Sequence, residues 1–155
     1  FRQTENLAVD IVQKPINFTS RKLFMRETNS FPFIDKTYHD TMDLLTEART
    51  FAAFQRTSAN DNGDSFEKFF ITSETSRLVS HLTNVMTWVL WHKAANSGEV
   101  SVSKAQKMGK KHLDPEIFSE RQTDHDIDLP RILESLMGRA DLLHARVSRL
   151  SKMVH

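Results

Sequence analysis

The chain has 155 residues, close to the usual size of one compact domain and short for two. Gly and Pro number four each, and there is no cysteine. So few turn residues argue against a sandwich or barrel, and the missing thiols exclude a disulfide scaffold, a Cys-ligated metal site and thiol chemistry. Lys and Arg total 21 against 20 Asp and Glu, and the resulting charge of +1 gives no broad basic field of the kind nucleic-acid binders carry.

Residues 1–32 show no sustained period: an apolar cluster from Leu7 to Val12, then Pro15, then Arg21, Lys22 and Arg26 around Leu23, Phe24 and Met25. This stretch reads as an N-terminal arm. Asn17, Phe18 and Thr19 fit a glycosylation acceptor, but no secretory leader accompanies them and the segment reads as ordinary arm. The strongest apolar window, Val85 to Trp91, falls far short of the ~20 residues that span a bilayer. The expectation is a cytoplasmic protein without a membrane span. It covers only the residues shown, because Phe1 is not Met.

From Phe33 onward the spacing predicts a helical bundle domain over 33–155. Ile34, Tyr38, Thr41, Leu45, Ala48 and Ala52 alternate steps of four and three, with Met42 and Phe51 beside them, which predicts a helix from about Phe33 to Arg56. It ends in the polar run Ser58 to Gly63. Asp64 with Glu67 three residues later resembles a capping box and opens a second helix. Its stripe is Ile71, Thr75, Leu78, Leu82, Val85, Val89 and His92, closed by Gly98 as a left-handed C-terminal residue. Between Val85 and Trp91 the apolar residues point all round the helix, so that half needs cover on every side.

Ser103 with Gln106 is a candidate cap for a short extra helix bearing Lys104, Lys107, Lys110 and Lys111, and an acidic connector from Asp114 to Asp128 follows. Leu129, Leu133, Leu136, Ala140, Leu143, Val147, Leu150 and Val154 then mark the last long helix, with Pro130 suited to its first turn. Three long apolar stripes predict an all-α fold: an antiparallel three-helix bundle with an N-terminal arm and a short helix after the second.

Candidate chemistry is sparse. There is no glycine-rich phosphate loop, P-loop or nucleophile elbow. His39 with Asp43, and His125 between Asp124 and Asp126, fall short of the three or four ligands of a stable metal site. No cofactor or metal is therefore expected. His81 and His92 lie in the second helix, where a bundle histidine invites comparison with phosphotransfer modules. The lysine expected shortly after such a histidine, following a small residue, is not in place after His81 (Leu82, Thr83, Asn84), and His92 is followed by Lys93 and two alanines, so both read as satisfied core or interface histidines and are counted with the expected interface residues. The four lysines carry no interleaved aromatic and read as a solvated face or as partners of the acidic connector, not as a nucleic-acid site.

Trp88 and Trp91 stand out. Leu82, Val85 and Val89 already fill the stripe, so at least one indole is expected at an interface. The reading is a homodimer burying Trp88 or Trp91 at a two-fold contact, with Arg77 at its rim or, as the plainer alternative, paired with Glu74. Burying one indole, ~150 to 250 Å², corresponds to about 4 to 6 kcal/mol before ordering costs.

The ordered run Glu74, Thr75, Ser76, Arg77, Leu78, then Leu82, then Thr87, Trp88, Val89, Leu90, then Lys93, Ala94 and Gly98, Glu99, Val100 resembles the regulator-of-CtrA-degradation (RcdA-like) family of bacterial proteolysis adaptors. Phe33, Met42, Leu44, Leu45 and Glu47 fit that family's first helix, and Leu129, Pro130 and Leu133 onward fit its last. The resemblance implies a small, usually dimeric helical bundle without catalytic activity that helps the ClpXP protease degrade cell-cycle regulators. Implied partners are the protease, a CpdR-like response regulator, a cyclic-di-GMP effector protein and substrate proteins, and the implied location is a cell pole. The sequence departs from the pattern at His81, Thr87 and His92, and at the loop Ser58 to Gly63.

Overall fold

The computed structural model describes residues 31–58, 63–114 and 127–153. Residues 1–30 of the expected arm with Asn17, the stretch 115–126 of the acidic connector with His125, and Val154 lie outside the described residues, and the last two residues assigned to the arm already belong to the first helix. The chain divides before Pro32, and the unit Pro32–His155 carries the bundle. Among the described residues there are four helices: α1 (Phe31–Ser58), α2 (Ser65–Asn96), α3 (Val102–Lys111) and α4 (Arg131–Met153). The same residues hold no strand, and the all-α bundle with a short extra helix is the observed fold.

Local chemistry sets the ends. The Asp64 carboxylate accepts from the Phe66 amide at 3.1 Å and starts α2. At the other end Gly98 takes φ +80°, and the Glu99 amide reaches the Ala94 carbonyl at 2.9 Å, which turns the chain back on itself. The cap of α3 is Ser101, not Ser103: its hydroxyl accepts from the Lys104 amide at 3.3 Å, placing the helix start two residues earlier than read from sequence. Pro130 sits where a missing amide hydrogen is harmless, and its carbonyl accepts from the Glu134 amide at 3.1 Å.

Side-chain pairs fix the directions. Lys93 near the end of α2 meets Asp35 near the start of α1 at 2.5 Å. Glu47 meets Arg139, and Asp40 meets Arg146, so α1 also runs antiparallel to α4. Helices α2 and α4 are therefore parallel to each other. Helix α3 runs back along α2, with Gly109 over Trp88 and His112 at Asn84.

All seven stripe residues of α2, from Ile71 to His92, are buried. In α4 the stripe from Leu133 to Val147 is buried, with Leu129 and Leu150 half-buried at its ends. In α1 the buried line is Ile34, Thr37, Thr41, Leu44, Ala48 and Phe51, while Tyr38, Leu45 and Ala52 flank it and Met42 is exposed. This is a rotation of the stripe read from hydropathy. Thr37 and Thr41 tolerate burial because their hydroxyls donate to the carbonyls of Phe33 (2.7 Å) and Thr37 (2.6 Å), one turn back, and so present only methyl groups to the core.

Candidate functional site

Trp88 is fully buried within the single chain. Helix α3 is the cover that the all-round apolar half of α2 required: its small residues Ala105 and Gly109, one turn apart, face inward and are buried. A Cβ on Gly109 would stand 2.9 Å from Trp88 Cδ1, so only glycine lets the α3 backbone come this close. The His92 ring lies 4.2 Å from the Trp88 ring, centroid to centroid, and burial holds its pKa below the ordinary histidine range. A side-chain contact of 3.3 Å between His112 Nδ1 and Asn84 Oδ1 pins the far end of α3. Trp88 therefore fills the core beneath α3 instead of a surface patch, and Trp91 beside it is half-buried.

The other singled-out residues are dispersed. Arg77 donates to Glu74 at 2.8 Å, the i,i+3 pairing that sequence offered as the plainer alternative, and Glu74 itself is buried. His81 is half-buried, with its ring edge-on to that of His144 on α4 at 5.0 Å. His144 also has its pKa lowered by burial, against the opposing pull of Asp141. Lys104, Lys107, Lys110 and Lys111 are all exposed on the outside of α3, and His39 and Asp43 are exposed on α1. The five residues expected at an interface, Arg77, His81, Trp88, Trp91 and His92, are not gathered into one exposed patch.

The most developed surface feature is the seam between α1 and α4. Arg139 holds Glu47 with two parallel hydrogen bonds, 2.6 and 2.8 Å, and Arg146 holds Asp40 at 2.5 Å. Beside these pairs opens a groove of about 290 Å³, floored by Leu44 and Leu143 and rimmed by Asp43 and Leu142. Leu142 is 73% exposed. Hydrogen bonding from Arg139 lowers the Glu47 pKa and raises that of Arg139 itself. Burial works to raise the Asp40 pKa, but Arg146, with Lys36 behind it, outweighs that and holds it low. Both acids thus stay charged well into the acidic range. A signal for this seam was present in the sequence: Asp40 and Glu47 are seven residues apart, as are Arg139 and Arg146, the repeat expected where two helices run side by side.

A family model described as "Protein of unknown function (DUF1465)" matches residues 25–155. The chain belongs to the DUF1465 family. The match takes in every described helix, so the bundle, the α3 cover and the α1/α4 seam all lie within the DUF1465 region. No curated protein and no solved structure matches the chain. Within the DUF1465 region the run from Glu74 to Val100 divides in two. Glu74, Thr75, Leu78, Leu82, Trp88 and Val89 are buried and build the fold, whereas Thr87 and Lys93 are half-buried and Leu90 is exposed.

Proposed function

We propose that this chain is a non-enzymatic adaptor of the RcdA-like kind, a helical scaffold that holds a substrate and the ClpXP protease close together and so raises their effective concentration. The observation that carries the reading is the ordered run Glu74 to Val100, whose buried members sit on one continuous helix that the bundle is built around. Large exposed apolar side chains on that framework, Phe54, Phe66, Phe69 and Leu142 among them, provide contact surface for partner proteins. The cell-cycle role and the polar location belong to the same reading.

The competing reading, a phosphotransfer module using a bundle histidine, gains less from the structure. His92 is 6% exposed and wedged between Trp88 and α3, and His81 is half-buried against His144, so neither ring stands out toward a donor's active site.

Two measurements decide between them. The protein immobilised and exposed to native cytoplasm is expected to retain the ClpX unfoldase or a receiver-domain protein, and to accelerate degradation of a captured substrate by purified ClpXP. Stable acid-labile phosphate after incubation with a phosphodonor, lost in His81→Ala, would reverse the ranking. Sequence-specific DNA binding that survives moderate salt would remove both readings.

A further inference from the structure

We propose that the outer face of α2 is a docking surface for an acidic amphipathic helix of a partner protein, which lies along α2 with small or apolar residues toward it and carboxylates toward cations on both edges. The proposal does not rest on the adaptor reading, since it concerns binding by this chain alone and is tested without a protease.

The first observation is a face without charge. From Phe69 to Leu90 every exposed residue of α2 is uncharged, over about 32 Å of helix, where a typical surface is about a quarter to a third charged. Glu74 and Arg77, the only acidic and basic residues in that span, are buried and half-buried and pair with each other. Thr72, Thr83 and Thr87 donate their hydroxyls to the carbonyls of Lys68, Val79 and Thr83 at 2.8, 2.7 and 2.9 Å, so a neighbour meets methyl groups and has no hydroxyl proton to satisfy. Phe69 at one end is 72% exposed and Leu90 at the other 49%. Between them Ser76, Ser80, Thr83 and Thr87 follow one another in steps of four, three and four, the spacing at which small side chains admit a second helix.

The second observation is what borders this face. Asp35 meets Lys93, and seven-residue steps from that pair bring Met42 to the level of Met86, Arg49 to Val79 and Arg56 to Thr72 along the antiparallel α1 and α2. Arg49 and Arg56 therefore line one edge, opposite residues that carry no carboxylate. On the other edge His112 of α3 reaches Asn84, on the side of α2 that leads round to Ser80 and Thr87. Lys104 and Lys111, a heptad apart, are exposed on that same flank of α3. None of these four cations is in an ion pair among the described residues, whereas Arg139 and Arg146 on α4 both are.

Charge and shape together choose the partner. A helix, about 10 to 12 Å across, resting on this face has one flank toward Arg49 and Arg56 and the other toward Lys104 and Lys111. Carboxylates on both flanks answer those cations, and a seam of alanine and leucine answers the small residues and the two apolar ends. A lipid surface fits less well, because the middle of the face is serine and threonine and has no large apolar side chain to insert. A nucleic acid fits less well too, since the cations stand at the edges and the stretch from Ser76 to Thr87 exposes no aromatic ring on which a base could stack.

Fluorescence anisotropy with the full chain tests the proposal, with circular dichroism to monitor the fold of each variant. The probe is a labelled helical peptide of about three heptads, with alanine and leucine on one face and glutamate on both flanks, and its control carries lysine in place of glutamate. The glutamate peptide is expected to bind, more weakly as salt is raised, and the lysine peptide is not. Arg49→Glu with Arg56→Glu, and Lys104→Glu with Lys111→Glu, are each expected to weaken binding about tenfold or more, whereas the charge-matched pair Lys107→Glu with Lys110→Glu, pointing away from the face, should change it less than about threefold. Ser80→Arg separates a seated helix from loose attraction: it adds a cation but blocks the face, so affinity is expected to fall. No binding of the glutamate peptide at about 100 μM, tighter binding by Ser80→Arg, or an equal loss from Lys107→Glu with Lys110→Glu overturns the proposal. Capture of phosphatidylserine vesicles or of a single-stranded oligonucleotide by a chain that leaves the peptide unbound overturns it as well, in favour of a lipid or nucleic-acid ligand.

Discussion

Where α3 lies on α2, small residues close down on an indole and the contact is dry; where α1 lies beside α4, the helices are bridged by arginine–carboxylate pairs and a groove stays open beside them. The first contact is packed within the chain, down to a glycine where an added Cβ would stand 2.9 Å from the indole, although the Trp88 Nε1 has no acceptor among the described residues. The second holds two helices in register with exposed pairs that add little stability and keeps its large apolar side chains outside. The contrast separates side chains that make the fold from side chains left over for something else, and it does so by exposure rather than by residue type. An indole belongs to the first group and a leucine and two phenylalanines to the second.

The largest effect is expected at the closed contact. Trp88→Ala should destabilise by about 3 to 5 kcal/mol in urea unfolding, a large part of the ~5 to 15 kcal/mol of a typical domain, because α3 and His92 would be left around a void. Next comes a pair of identical substitutions with opposite signs. Gly109→Ala should destabilise by about 1 kcal/mol, since displacing the rigid Trp88 ring outweighs the gain in helix propensity, whereas Gly138→Ala, where an added Cβ meets nothing within 4 Å, should stabilise by up to about 1 kcal/mol. Equal effects at the two glycines would dissolve the contrast.

A pH series separates the regions in a different way. Burial lowers the pKa of His92 and of His144, so the unfolded chain takes up protons first and stability should fall as pH drops through the ordinary histidine range. His92→Gln should flatten part of that fall. The seam acids behave the same way at lower pH: Asp40 and Glu47 have depressed pKa values when folded, so what they contribute is present above the ordinary carboxylate range and disappears as pH falls through their folded values. The smallest effect is expected for Glu47→Ala with Arg139→Ala, whose coupling in a double-mutant cycle should be under about 1 kcal/mol and should shrink with salt, because both side chains are nearly half exposed.

Much of the bundle was legible in the residues. The α2 and α4 stripes needed only spacing, since Leu and Val carry their burial openly. The α1 stripe was displaced because Thr37, Leu44 and Phe51 are buried where Tyr38, Leu45 and Ala52 were expected, and the polarity of Thr37 is absorbed by the helix backbone, an exchange that hydropathy does not register. The need for cover around Val85 to Trp91 was also legible, but its source was not. Helix α3 reads as lysines, and its contact face is made of Ala105 and Gly109, two residues with almost no hydropathy signal and a clear steric one. The α1/α4 groove was hidden for a third reason: a charged pair seven residues from the next is visible along the chain, but which helix answers it is decided only by the fold.

Helix α1 carries five threonines, at 37, 41, 46, 50 and 57, each with its hydroxyl turned back onto a carbonyl of the preceding turn. Such β-branched residues give up rotamer freedom when they enter a helix, and the segment's own tendency to coil up in water is correspondingly low. As an isolated peptide this segment would be mostly unstructured, and its helicity in the protein is lent by α2 and α4. The acidic row on its outer side therefore exists as a row only while those neighbours hold it. Loss of tertiary packing would scatter Asp40, Asp43 and Glu47, so that charged row is itself a readout of whether the bundle is intact.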